Sequence, residues 1–223
     1  MKKTIYATIL AGLWVALPSI AEDNLTQYKT LTTSSDTSIP YAVHLPDGFD
    51  PEQTYPVLIG PGDGEEGADA GFYWRTDPHG HGWIIVDAQL WEADTRQNLG
   101  ELLGAIANDY KVEGGKFHAV CWSANSAGIF RLVTDNAEYF HSITGIAGNP
   151  SNVSDNDIEA LRDVKIQFIV GQNDGSWQRS TKAAYDKFRA GGIDTVYEIV
   201  PGAGHVMMEL VGKGFVQKLE KLR

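Results

Sequence analysis

Six short runs, rich in β-branched and apolar residues, recur along the chain with room for a helix between most of them: 55–60 (YPVLIG), 82–88 (GWIIVDA), 116–122 (KFHAVCW), 141–148 (HSITGIAG), 164–171 (VKIQFIVG) and 195–202 (TVYEIVPG). Runs of this length that do not alternate with polar residues are what parallel strands buried on both faces require. Leu99, Leu102, Leu103, Ile106 and Tyr110 between them share one face at helical spacing. Ala127 to Thr134 reads as a second helix, and Ala184, Tyr185 and Phe188 mark a third, stopped by Gly191-Gly192. A last helix is expected from about Val206 to Leu222. Residues 27–34 and 39–45 alternate instead and read as an antiparallel pair. The pattern predicts an α/β domain: a mainly parallel sheet of about eight strands flanked by helices, without a large lid domain.

The first residues are set apart. Lys2 and Lys3 precede an apolar run from Ile5 to Leu17, and Ser19-Ile20-Ala21 gives a small-x-small step before Glu22. This is the pattern of a secretory signal peptide, with cleavage expected after Ala21. Residues 1–21 are therefore assigned to the signal and 22–223 to the folded domain, exported to the periplasm or beyond. Losing Lys2 and Lys3 takes the net charge from −11 to −13. So acidic a protein does not suit nucleic acid or anionic membrane surfaces. The single cysteine, Cys121, allows no disulfide within the chain. It reads as a small buried residue at a strand end rather than a nucleophile.

In parallel sheets the chemistry gathers beyond the carboxyl ends of the strands. Those ends carry PGDG (61–64), a serine pair in VCWSANSAGIF (120–130), Asp174 in QNDG (172–175) and His205 in PGAGH (201–205). A serine, an aspartate and a histidine in that chain order match the order of an α/β-hydrolase triad. The histidine would take the hydroxyl proton and the aspartate would fix its tautomer. The rival carboxylate, Asp163, lies before its strand, at the wrong end of the sheet.

On these residues the chain resembles the α/β-hydrolase superfamily, and within it small secreted esterases related to polyhydroxybutyrate depolymerases and feruloyl or acetyl-xylan esterases. HLPDGFDPEQTYPVLI (44–59) is similar to the stretch leading into the third strand. VGQNDGSWQRSTKAAYDKFRAGGIDTVYEIVPGAGH (170–205) is similar to the acid turn, helix, strand and histidine loop. The resemblance implies a serine nucleophile and hydrolysis of carboxylic esters, small or polymer-attached, with no cofactor and no metal. It departs in two places: the Gly-x-Ser-x-Gly glycines are absent, and Pro61-Gly62 stands where His-Gly is usual.

Two serines compete for the nucleophile. The family register, with seventeen residues from Ser123 to Phe140, favours Ser123. Ser126 would stretch the preceding strand to Ala124 and shorten the following helix. Sterics oppose this, because Asn125 sits two positions from Ser123 where the elbow usually has glycine, so Ser126 stays as the alternative. With Ser123, the oxyanion donors are expected to be Ala124 N–H and either Asp63 or Gly62 N–H. Both serines could instead be helix-start residues, which serine favours anyway. Trp91 and Trp177 follow strand ends and are candidates to bind substrate by stacking on a sugar or phenolic ring, with core packing or loop anchoring as the alternative for each. His79-Gly80-His81 lacks a third ligand at metal spacing and reads as a loop. His44, His118 and His141 read as structural. Besides a peptidase of the same fold, a degenerate hydrolase that binds a ligand without turnover remains open.

Overall fold

The computed structural model describes residues 25–62, 64 and 78–223. The signal segment assigned from the sequence, and Asp63, lie outside them. The strands are β1 (Thr26–Thr32), β2 (Ser38–His44), β3 (Val57–Pro61), β4 (Ile84–Ala88), β5 (Phe117–Trp122), β6 (Phe140–Ile146), β7 (Lys165–Gly171) and β8 (Thr195–Val200). They form one sheet in the order β1-β2-β4-β3-β5-β6-β7-β8. β1 pairs antiparallel with β2, and β2 with β4; every pairing from β4 to β8 is parallel.

Period-two alternation decides which side chain faces which layer. Val57 and Ile59, Ile84 and Val86, and Ala119 and Cys121 join one apolar cluster, while Leu58, Ile85 and Val120 join the other. The first cluster is completed by α2 (Leu99–Asp109), α3 (Ser126–Asp135) and α5 (Gly175–Ala190), the second by α6 (Lys213–Leu219). Phe130, Phe168 and Phe188 stack within the first, with ring centroids 5.7–6.5 Å apart.

Two short helices, α1 (Ala93–Gln97) and α4 (Asp155–Ala160), were not legible in the apolar spacing. At five and six residues they are too short to show a helical period. The expected last helix is broken. Residues 208–210 form a 3₁₀ turn, and α6 starts only after Gly212, whose φ of +61° no helix interior accepts.

The strand order reverses between β3 and β5: the chain leaves β3 for β4 on one side and β5 for β6 on the other. A crevice opens at such a point, beyond the strands' carboxyl ends. Gly62, Ser123, Asp174 and His205 all follow strands at that edge.

Candidate active site

β5 ends at Trp122, and Ser123–Asn125 forms a 3₁₀ turn that runs straight into α3. Ser123 makes this reversal with φ +53°, a left-handed conformation that costs a non-glycine residue of order 1 kcal/mol or more. The strain lifts its side chain off the sheet edge. Ser123 Oγ donates to His205 Nε2 at 2.8 Å. His205 Nδ1–H donates to Asp174 Oδ2 at 2.7 Å, and this bond to a carboxylate assigns the tautomer that leaves Nε2 as acceptor. The Asp174 side chain is 9% exposed and that of His205 35%.

Asp174 is the N-cap residue of α5, but its side chain makes no cap bond and turns to His205 instead. Its turn is tied to the histidine loop by three bonds. Asn173 N–H donates to Ala203 O, Asn173 Nδ2 donates to Gly202 O, and Gly202 N–H donates to Gln172 Oε1. Gly171 has no room for a Cβ, which would stand 2.1 Å from Gly204 O. The two loops are therefore packed backbone to backbone.

Ser126 sits elsewhere. It is fully buried, on the first turn of α3, and its Oγ has no partner on the histidine. A Cβ on Gly148 would fall 1.8 Å from that Oγ and 3.2 Å from Ser123 N. This answers the missing elbow glycines: the close approach they normally allow is supplied from β6, where Gly148 follows the strand. The expected clash of Asn125 does not arise either. Its Oδ1 accepts the Trp122 N–H at 2.9 Å, so the side chain lies back along the turn.

Cys121, one residue before Trp122, is buried, and burial pushes its thiol up to about 12. Its Sγ–H points at Thr144 O. A thiol in this state supplies no thiolate for attack.

Ala124 N–H belongs to the first turn after the strand, among the donors that no intrahelical bond satisfies. Gly62 is a correction. Its N–H donates to Ala88 O at 3.0 Å, continuing the β3–β4 ladder, and is not turned toward Ser123. The Cα of Gly62 is instead pressed against Asp87, 2.7 Å from where its Cβ would be. Asp63, the other expected donor, is outside the described residues.

The two tryptophans part company. Trp177, half-buried on the first turn of α5, stacks on His205 at 5.8 Å and 29°. Trp91 is 42% exposed on the turn after β4. A residue the sequence did not single out, Trp122, also packs on His205, at 5.4 Å and 35°. Alternation could have found it: two residues after Val120, it faces the same layer as the histidine loop. His79 is held in its loop, donating from Nδ1 to Leu45 O. His44 donates to the buried Asp87, and His118 pairs with Ser142 inside the sheet.

Such an array can pass the serine proton to the imidazole and hold the resulting imidazolium against a carboxylate.

No family model and no curated protein matches this sequence. Solved structures do. Over 94% of this chain and 96% of the other, it is similar to a mutant feruloyl esterase module from Clostridium thermocellum complexed with sinapinate, at TM-score 0.62 and 12% identity. It is similar to a thermostable esterase at TM-score 0.61 and 14% identity, covering 89% of this chain and 60% of that one. A putative dipeptidyl aminopeptidase IV from Bacteroides ovatus matches at TM-score 0.60 and 14% identity, over 88% of this chain and 34% of that one. The chain thus spans 60% and 34% of the length of these last two. The fold is that of the α/β-hydrolases.

Proposed function

We propose that this protein is a serine-dependent hydrolase of carboxylic esters working through an acyl-enzyme. What supports the reading is one observation: Ser123 Oγ, His205 and Asp174 stand in a single chain of hydrogen bonds of 2.8 and 2.7 Å. Ser123 Oγ attacks the ester carbonyl while His205 Nε2 takes its proton. The tetrahedral oxyanion is received by Ala124 N–H, at the positive end of α3. The carbonyl re-forms, the C–O bond breaks, and His205 returns the proton to the departing alcohol. Water then adds to the acyl carbonyl as His205 takes its proton; the bond from the acyl carbon to Ser123 Oγ breaks, His205 returns that proton to the serine, and the acid leaves. Trp177 borders this centre and lies against the substrate; Trp91 contributes further out.

The test is burst release from p-nitrophenyl acetate, followed by mass-spectrometric mapping of a serine-directed phosphonate. A burst and an adduct on Ser123 are expected. An adduct on Ser126 would move the nucleophile, and cleavage of amides but not esters would favour the peptidase reading. A protein inert to both reagents would be a ligand-binding relative.

The basic start, apolar run and Ser19-Ile20-Ala21 step further support export to the periplasm or medium. No helix among the described residues is long and apolar enough to cross a membrane. N-terminal sequencing of exported material should begin at Glu22; Met1 at the start would reject cleavage.

A further inference from the structure

Asn125 stands where a serine elbow ordinarily has its second glycine, and its side chain is engaged. Trp122 is the residue before the 3₁₀ turn, and its backbone N–H needs a partner once the strand ends. Asn125, three residues on, supplies it through Oδ1 at 2.9 Å. This is the returning half of a capping box, in which the third residue of the turn reaches back to the cap residue's N–H. Glycine or alanine at 125 offers no such acceptor.

Trp122 is also the residue on which both reacting groups are referenced. Ser123 follows it directly, at φ +53°. Its indole lies against the imidazole of His205, with centroids 5.4 Å apart. Backbone and indole share one Cα, so pinning the N–H limits both the entry into the strained serine and the direction of the ring.

We propose that Asn125 is a positioning residue: its carboxamide oxygen fixes Trp122, and through it aligns Ser123 with the His205 ring. The proposal rests on Ser123 being the nucleophile only for its kinetic consequence.

The experiment compares Asn125→Ala, Asn125→Gly and Asn125→Asp with the parent. A carboxylate at 125 still accepts the Trp122 N–H, so aspartate is the rescuing variant. Alanine and glycine should lower kcat on p-nitrophenyl acetate about ten-fold, as misplacement of a reacting group does, while KM stays within about two-fold. Aspartate should recover kcat to within about three-fold of the parent, since the acceptor is retained. In parallel, Trp122 amide exchange and the His205 ring proton resonances are followed by NMR. Both should change in the alanine and glycine proteins and return toward the parent in aspartate. Unchanged kcat in alanine and glycine, or a loss that aspartate does not recover, overturns the proposal. If the parent hydrolyses no ester, the functional reading fails separately, and the NMR pair decides alone: an unaltered Trp122 amide and His205 ring in Asn125→Ala then overturn it.

Discussion

The indole of Trp177 lies 5.8 Å from the imidazole of His205, centroid to centroid, with the two planes 29° apart. The two rings are stacked with an offset, and an indole face favours a nearby positive charge. An imidazolium forms at His205 in each half of the proposed reaction. Cation–π attraction of about 0.5–2 kcal/mol corresponds to a rate effect of roughly 2- to 30-fold. Trp177→Leu should lower kcat within that range, measured on p-nitrophenyl acetate, and Trp177→Phe should lose less. A Trp177→Leu protein with parental kcat and a raised KM would reduce the residue to a substrate contact.

Ser123→Ala should lose activity on the order of 10⁶-fold, because acyl transfer has no covalent route without the hydroxyl. Its thermal midpoint should change little, since only the part-buried hydroxyl and its bond to His205 are lost. Ser126→Ala should remain active. Its buried hydroxyl faces only the neutral Cys121 thiol, a weak partner, so alanine there costs little. An inactive but folded Ser126→Ala would refute this division of roles.

Gly148→Ala should damage the elbow from outside it. The added Cβ meets Ser126 Oγ at 1.8 Å, Ser126 Cβ at 2.7 Å and Ser123 N at 3.2 Å. Overpacking of this kind costs about 1–3 kcal/mol, and here the displaced atoms include the nucleophile's backbone. Denaturant unfolding and kcat should both fall. A second change, Ser126→Gly, opens the space and should return part of both. Normal stability and activity in Gly148→Ala alone would show that β6 does not set the elbow.

His118 makes stability depend on pH. Burial pushes its imidazole down to about 3, and His141, Arg223 and Lys165 act in the same direction. The unfolded chain takes up this proton near pH 6.5, the folded chain only near 3. The neutral histidine's contribution is therefore whole above about pH 6.5 and is lost as pH falls toward 3, at up to about 1.4 kcal/mol per unit. In His118→Gln, urea unfolding between about pH 6.5 and 4 should show a shallower decline than the parent. Equal slopes would mean that this histidine is not what acid attacks.

The strands were legible because the inner ones, buried on both faces, read as unbroken apolar runs and the first pair alternates: the expected eight correspond to β1 through β8, with ends shifted by a residue or two. Ser123, Asp174 and His205 were legible for a related reason. Each follows a strand at the carboxyl edge, so finding the strand nearly finds the residue. Geometry made by contact between distant segments was not legible. Gly62 was expected to donate toward the nucleophile, yet Ala88 claims its N–H, which depends on how β3 and β4 sit in register. Asn125 looked like an obstruction because a sequence shows its bulk and not the direction of its carboxamide. Gly148 passed unnoticed since nothing local marks it; only the fold brings it against Ser126.

The bonds from Asn173 to Ala203 and Gly202, and from Gly202 to Gln172, join the acid turn and the histidine loop into one body. Carboxylate and imidazole are thereby held on one frame. The serine rides on another, anchored to β5 and α3. The contact that joins the two is the bond from Ser123 Oγ to His205 Nε2 at 2.8 Å. The proton's path therefore crosses from one segment to the other at that bond, while the carboxylate that sets the histidine's tautomer stays on the histidine's side.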